Sequence, residues 1–344
     1  MTAESVLVLS EGQDGHSDRI VREVEARGAS ALVVDQTRLP EWSESVRLHG
    51  AEGCEGSISA PGGRTVDLAD VRAVAYWPAW IRLDLPGMEL EAKMLVEDEW
   101  LGFLANLRSL VPGARWVNPI EPRLVGHPRL HQLRLAEQLG LRVPDTVVTN
   151  SLDDALRFVD AHPEGVASKR LTTIVRPYQG RRLRYGLYTR RVDRAMLEEA
   201  GAASLRYAPC LLQEYVPKQV EVRAYVLGET VLSAEILSQD DPATRDDWRA
   251  YPMVETPDGW EIDASRWKCR PASLPAEVEG PLVRLVRELG LAYSAVDLVL
   301  RPDGAYDFLE ANHGGAWGWI QDRTGLPIVQ RLVDLMLGPC PGPD

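Results

Sequence analysis

An α/β (α+β) fold is predicted by three observations: apolar runs that alternate with a polar, helix-like stretch near the start, two alternating strands around a Pro-Asp-Gly turn near the end, and a composition in the ordinary globular range. The 344 residues are 45% hydrophobic and 26% charged, which excludes a mostly disordered or fibrous chain. At roughly 100–200 residues per domain, this length implies two or three domains with ample core.

Residues 5–9 (SVLVL) and 31–35 (ALVVD) read as buried strands flanking a polar helical stretch from Ser17 to Arg27, and VRAVAYW at 71–77 adds another strand. The stretch Glu89 to Leu110 is helical in pattern, and VPGARWVNPIEP closes a first domain near residue 120 with turn residues. A helix from Pro128 to Leu139 follows, stopped by Gly140 and the pre-proline Val143. Then come a strand at Asp145–Thr149, a helix at Leu152–Ala161 capped by Ser151, and strands on either side of an arginine-rich loop. A strand at 210–216 opens the last domain, and the tail LGPCPGPD is expected to fray. The expected domains are thus 1–120, a small lid at 121–209, and 210–335, with a tail at 336–344.

Several function classes are excluded at this level. No apolar stretch approaches the roughly 20 residues that span a bilayer, and the first residues lack a basic region before their short apolar run, so a cytoplasmic protein is expected. The net charge of −13 argues against nucleic-acid binding. Cys54, Cys210, Cys269 and Cys340 form no CxxC pair, so neither a zinc site nor a disulfide framework is indicated. There is no GxGxxG after the first strand and no GxxxxGK anywhere, so a nucleotide site must be built differently. Against the acidic background, the stretch Lys169 to Arg194 holds nine Lys or Arg residues and one acid, Asp193, a local anion-binding segment.

The most informative segment is AVDLVLRPDGAYDFLEANHGGAWGW, residues 295–319, a β-hairpin around Pro302-Asp303-Gly304. With a two-residue turn, Asp297 lies directly opposite Glu310; with a four-residue loop the two are diagonal neighbours. The Cβ separation is then about 5 Å or roughly 7 Å, on one face in either case. A three-residue loop would separate them. Asn312 continues on the face of Glu310. Two carboxylates and an amide oxygen on rigid strands are hard oxygen donors suited to Mg²⁺ on nucleotide phosphates.

Upstream, CLLQEYVPKQVEVRAYVLG at 210–228 is an apolar strand interrupted by Gln213-Glu214-Tyr215-Val216, then a second strand holding Glu221 and Arg223. The hinge QEYV, Glu221 seven residues after Glu214, Arg223, the strand VASK ending at Lys169, and Asp297 with Glu310-x-Asn312 together resemble the ATP-grasp superfamily. Within it, the chain is most similar to the macrocyclases that build graspetides, microviridin-type peptides cross-linked by side-chain esters or amides. The similar stretches are RWVNP at 115–119, 129–150, 208–228, SAEILSQ and DWR within 233–249, and 308–328.

This resemblance implies an ATP-grasp fold with an N-terminal α/β domain, a lid and a C-terminal catalytic domain. It implies that the hinge backbone, with Gln213, Glu214, Tyr215 and Val216, reads adenine, and that Glu221 holds the ribose. Lys169 and Arg129 would contact phosphates, Arg223 would stabilise the transferring phosphoryl group, and Asp297, Glu310 and Asn312 would bind two Mg²⁺ ions. Arg176, Arg181, Arg182 and Arg184, with Asp247, Trp248 and Arg249, are expected to meet an acidic ribosomal precursor peptide made of leader and core. A homodimer is also implied. Three departures stand out: Arg129 replaces a more usual lysine, His313 and Ala316 alter the segment after Asn312, and Tyr76-Trp77-Pro78 replaces an arginine-containing stretch. The expected reaction activates an Asp or Glu side chain as an acyl phosphate, which a Ser, Thr or Lys side chain of the same peptide displaces. Addition of a free amino acid to a carboxylate, and an ATP-binding module without turnover, are the alternatives.

Overall fold

The computed structural model describes residues 5–11, 15–48, 54–77, 83, 85–120, 128–171, 189–250, 253–256, 259–262 and 266–338. The βαβ start is present as β1 (Ser5–Ser10), α1 (Gly15–Ala26) and β2 (Ser30–Asp35). Strands β3 (Ser43–Leu48), β4 (Cys54–Ser59) and β5 (Thr65–Asp67), which have no counterpart in the expected elements, form a separate antiparallel sheet. The chain then returns through β6 (Val71–Tyr76), α2 (Leu90–Leu110) and β7 (Arg115–Val117). The main sheet is parallel, in the order β2-β1-β6-β7. Strand β1 is apolar without alternation because both its faces are covered: Val6 and Val8 enter one core, Leu7 and Leu9 another.

Next come α3 (Arg129–Gln138), β8 (Thr146–Thr149), α4 (Leu152–Ala161), β9 (Val166–Lys169), β10 (Arg190–Val192), α5 (Arg194–Leu205) and β11 (Cys210–Glu214). The four strands form an antiparallel lid sheet, β10-β9-β11-β8, with Ala155, Val166, Leu197 and Leu212 buried beneath α4 and α5. Ser151 caps α4 as expected, its hydroxyl accepting from the Asp154 amide at 3.3 Å. Two segments belong elsewhere than their sequence position suggested. Strand β11, counted with the last domain, is hydrogen-bonded between β9 and β8 of the lid sheet. Helix α3, counted with the lid, packs Leu133 and Ala136 into the core of the C-terminal sheet.

That sheet contains β12 (Val220–Leu227), β13 (Thr230–Ile236), β16 (Cys269–Ala272), β17 (Tyr293–Leu300) and β18 (Tyr306–Asn312), in the order β16-β13-β12-β17-β18. A small hairpin, β14 (Met253–Thr256) and β15 (Gly259–Ile262), lies between β13 and β16 in sequence. Helix α6 (Ala276–Glu288) covers one sheet face with Val278, Leu282, Leu285 and Val286. Helices α7 (Gly318–Thr324) and α8 (Ile328–Leu337) cover the end of the other. The last helical residue, Leu337, lies inside the expected tail, whose residues 339–344 are outside the described set.

The first and last domains share one core. Ile328, Val329, Leu332, Val333 and Met336 of α8 pack with Val6, Ala73 and Val117 of the parallel sheet and with Tyr225 and Leu227 of β12. Each such side chain contributes roughly 1.5–3 kcal/mol when fully buried. Asn118 of the RWVNP segment rivets the two domains. Its amide nitrogen donates to the carbonyls of Tyr293 and His313, and its oxygen accepts from the amides of Ala292 and Tyr293, all at 2.7–2.9 Å. A buried amide using all four of its hydrogen-bonding positions specifies one docking geometry. Among the described residues, no helix is long and apolar enough to cross a membrane.

Candidate active site

Strand alternation sends Val222, Ala224 and Val226 of β12 into the core beneath α6 and leaves Glu221 and Arg223 on the opposite face. On that face the register aligns Ala234, Arg223, Asp297 and Glu310 in one row across β13, β12, β17 and β18. The two acids of the row are neighbours, and each is matched to its own cation. Arg223 Nη1 donates to both carboxylate oxygens of Asp297, at 2.7 and 2.9 Å, and Arg129 pairs with Glu310 at 2.6 Å. Both carboxylates are only 14% exposed, so they are sheltered rather than solvent-facing.

Burial raises both carboxyls, but their surroundings pull them apart. At Asp297, burial together with the neighbouring Glu310 charge outweighs Arg223 and leaves the group above the ordinary range. At Glu310, burial is overcome by Arg129, Arg249, Lys169 and Arg223, and the group sits below it.

The juxtaposition of Asp297 and Glu310 is reached by a route the sequence did not suggest. The turn is the three-residue loop Pro302-Asp303-Gly304, closed by an Arg301 amide bond to the Ala305 carbonyl at 2.8 Å, with Gly304 at φ 86°. By itself it would put the two acids on opposite faces. A bulge restores them: Leu298 pairs with Phe308 while Asp297 pairs with Glu310, so Leu309 is the extra residue.

The lid contributes the facing wall. Lys169, at the end of β9, donates to Gln213 Oε1 at 2.6 Å, and the Gln213 amide nitrogen donates to Thr146 at 3.0 Å. The Gln213 side chain therefore anchors Lys169 instead of pointing along the hinge. Burial and the Arg129 charge lower the Lys169 ammonium to about 8. Glu214 is likewise engaged, through Arg301 at 3.0 Å. Arg191 stacks over the Tyr215 ring, its Cζ 3.3 Å from the centroid. Glu221 accepts from Lys218 Nζ at 2.5 Å, and Lys218 also reaches the Asp246 carbonyl at 2.9 Å. Burial raises Glu221 against the pull of Lys218.

From the β13–β14 connection, Asp247 binds the Thr189 amide at 2.9 Å and grips Arg249 through Nε at 2.8 Å and Nη2 at 2.7 Å. Burial opposes ionisation of Asp247, but the Arg249 guanidinium holds it at about 2. Trp248 stacks on Trp319 at 5.1 Å, with Arg223 5.6 Å from its ring centroid.

Arg129, Lys169, the hinge 213–216, Glu221, the 247–249 segment, Asp297, Glu310 and Asn312 all line one cleft of about 390 Å³. Arg223 joins them through Asp297. Arg176, Arg181, Arg182 and Arg184 lie outside the described residues, as does Pro78. Sequence reasoning missed Lys218, three residues before Glu221, and the supports behind the site. The Tyr293 hydroxyl donates to the Gly315 carbonyl at 2.6 Å and the Tyr225 hydroxyl to the Ala316 carbonyl at 3.0 Å.

Among the described residues, no group of three or more His, Cys, Asp and Glu could cage a metal. Two carboxylates face to face with an amide oxygen nearby instead fit an ion that takes its remaining ligands from phosphate and water, the habit of Mg²⁺.

No family model and no curated protein matches the chain. Solved structures do. Macrocyclase MdnB from Microcystis aeruginosa MRC is similar with a TM-score of 0.74 at 28% identity, over 98% of this chain and 100% of that one. A Chryseobacterium gregarium RiPP-associated ATP-grasp ligase, solved with ADP and a leader and core peptide, gives 0.81 at 24% identity over 98% of each chain. The ATP-grasp ligase PsnB, solved with a phosphomimetic variant of minimal precursor, Mg and ADP, gives 0.70 at 21% identity over 98% of each. Because these likenesses run the length of both chains, through the parallel domain, the lid sheet and the five-stranded sheet alike, the chain has the ATP-grasp fold in the form shared by these ligases and this macrocyclase.

Proposed function

We propose that this chain is an ATP-dependent ligase that closes rings within an acidic, ribosomally made precursor peptide, joining an Asp or Glu side chain to a Ser or Thr hydroxyl or a Lys amine. The observation that carries the reading is the opposed pair Asp297 and Glu310, each held by an arginine, facing Lys169 across a cleft that the 213–216 hinge also lines. Adenine would lie against the hinge backbone and Tyr215, with the ribose at Glu221 and Lys218. Asp297, Glu310 and Asn312 would hold Mg²⁺, which when bound neutralises charge on the phosphate oxygens.

In the first step a carboxylate oxygen of the peptide attacks the γ-phosphorus, the bond to the β,γ-bridging oxygen breaks, and ADP leaves with that electron pair. In the second, the hydroxyl or amine attacks the acyl carbon, the carbon–oxygen bond to phosphate breaks, and the nucleophile loses its proton. Net loss of water is driven by ATP cleavage. Phosphoryl transfer depends mainly on positioning and charge neutralisation, and Arg223, Arg129 and Lys169 supply both. Arg249, fixed by Asp247 at the rim, and Arg170 favour an acidic peptide by charge. We further propose a cytoplasmic homodimer.

The test is to incubate the protein with Mg-ATP and a peptide whose core is rich in Asp, Glu, Ser, Thr and Lys, and to measure its intact mass. Loss of one water per ring, dependent on ATP and abolished by Glu310→Gln, is the expected result. A mass gain equal to one amino-acid residue would establish an addition ligase instead, and nucleotide binding without ADP release a module without turnover.

A further inference from the structure

Glu310 and Asn312 lie on β18, which among the described residues is an edge strand of the C-terminal sheet. An edge strand lacks one neighbour, and local opening begins where hydrogen bonding is incomplete. Groups that hold a metal must nonetheless stay within about 0.5 Å of their working positions. Two devices cover this edge. Near the turn, the Phe308 amide donates to the Arg142 carbonyl at 2.8 Å. At the metal end a side chain replaces the missing strand: Gln132 of α3 donates through Nε2 to the Ala311 carbonyl at 3.0 Å and accepts at Oε1 from the Ala311 amide at 2.9 Å.

Ala311 stands between Glu310 and Asn312 and turns its methyl into the core, so its outward peptide groups report the setting of both neighbours. Gln132 is buried, and its helix is fixed by Leu133 and Ala136 in the same core. One turn earlier on that helix, Arg129 reaches Glu310 at 2.6 Å. One rigid helix thus grips the strand by its backbone and by its carboxylate.

We propose that Gln132 is a positioning residue for metal–nucleotide binding: by completing the hydrogen bonding of β18 at Ala311, it fixes Glu310 and Asn312 toward Asp297 and keeps Arg129 in register with Glu310. The inference rests on reading the cleft as a Mg-ATP site. Gln132 itself touches no nucleotide in this scheme.

The experiment is calorimetric titration of ADP into the full chain, in EDTA and across a series of Mg²⁺ concentrations, for wild type, Gln132→Met and Gln132→Glu, with thermal melts and amide hydrogen exchange at Ala311. Methionine keeps the length and removes both hydrogen bonds; glutamate keeps the acceptor and loses the donor. The expected result is unchanged ADP affinity in EDTA and a Mg²⁺ requirement raised about tenfold or more in Gln132→Met, the size seen when groups that orient metal ligands are removed. Gln132→Glu should fall between, and Ala311 should exchange faster in both variants. A purely structural role predicts affinity lost equally with and without Mg²⁺, in step with the melting temperature, and that outcome overturns the proposal. If wild-type ADP binding is itself indifferent to Mg²⁺, the metal-site reading falls and takes this inference with it. A Mg²⁺-dependent wild type matched by both variants overturns the inference alone.

Discussion

Lys169 sits where its charge is conditional. Burial, then Arg129 and Lys218, lower its ammonium to about 8, against the opposing pull of Glu310 and Asp247. Phosphate oxygens favour the charged form, so a nucleotide bound beside Lys169 raises its pKa, and binding above pH 8 takes up a proton. The sign follows: ADP affinity is level below about pH 7 and falls as pH rises through 8, by at most about tenfold per pH unit for one proton. Lys169→Arg, charged throughout this range, should abolish the fall; a wild-type affinity flat from pH 7 to 9.5 would remove Lys169 from the phosphates. At this scale the sequence was legible in residue type and order. Asp297 and Glu310 were readable from strand alternation in the hairpin, and Lys169, Glu221 and Arg223 from the resemblance to a family pattern; Lys169, Glu221, Asp297 and Glu310 line one cleft, with Arg223 against Asp297. Their partners were not readable. The Gln213 side chain holds Lys169, 44 residues away, and Glu214 is bound by Arg301 at a separation of 87. No local pattern encodes such pairings: the first joins two neighbouring strands of the lid sheet, and the second joins that sheet to the end of β17.

At the scale of elements, the hairpin shows two irregularities cancelling. A three-residue turn and a bulge each shift the register by one, and only together do they return Glu310 to the face of Asp297. The sequence offers the turn residues but no mark for the bulge at Leu309. Helix α6 was hidden for a different reason. Gly280-Pro281 reads as a breaker, yet Val278, Pro281, Leu282, Leu285 and Val286 make one buried helical stripe, and tertiary packing outweighs the lost backbone bond. The segment after β18 is set by contact. A Cβ at Gly315 would lie 2.4 Å from the Ala295 Cβ and 2.6 Å from Arg223 Nη2, so only glycine lets this loop back onto the guanidinium. Gly315→Ala should therefore displace Arg223. Misplacement of this order costs roughly 10²-fold in rate, while overpacking costs about 1–3 kcal/mol in stability. ADP release under saturating Mg-ATP and peptide, compared with a thermal melt, measures both; normal turnover would show that the loop yields and that Arg223 stays in place.

At the scale of the molecule, the shared core of the parallel domain and the C-terminal sheet gives the lid one solid body to work against. The cleft lies between that body and the lid sheet, with β11 and the Tyr215–Gln219 crossing joining the two. The outer side of the first domain is less finished. Leu48, Leu90, Met94 and Leu95 are more than half exposed, and beside them Val46, Leu95, Val96, Trp100 and Phe103 line a groove of about 440 Å³. Apolar surface so grouped marks an interaction face, and here it supports the proposed homodimer. Two acids, Glu44 and Glu99, also line the groove. Burial raises Glu44 to about 7, and covering the groove with a second copy would bury it further. Association should then take up a proton, so the dimer should tighten as pH falls from 8 to 6. Sedimentation equilibrium at the two pH values measures this. Glu44→Gln should remove the pH dependence and favour the dimer, and the pair Met94→Glu with Leu95→Glu should give monomers whose ADP binding is unchanged. Dimers that persist in that double variant would place the contact on another face.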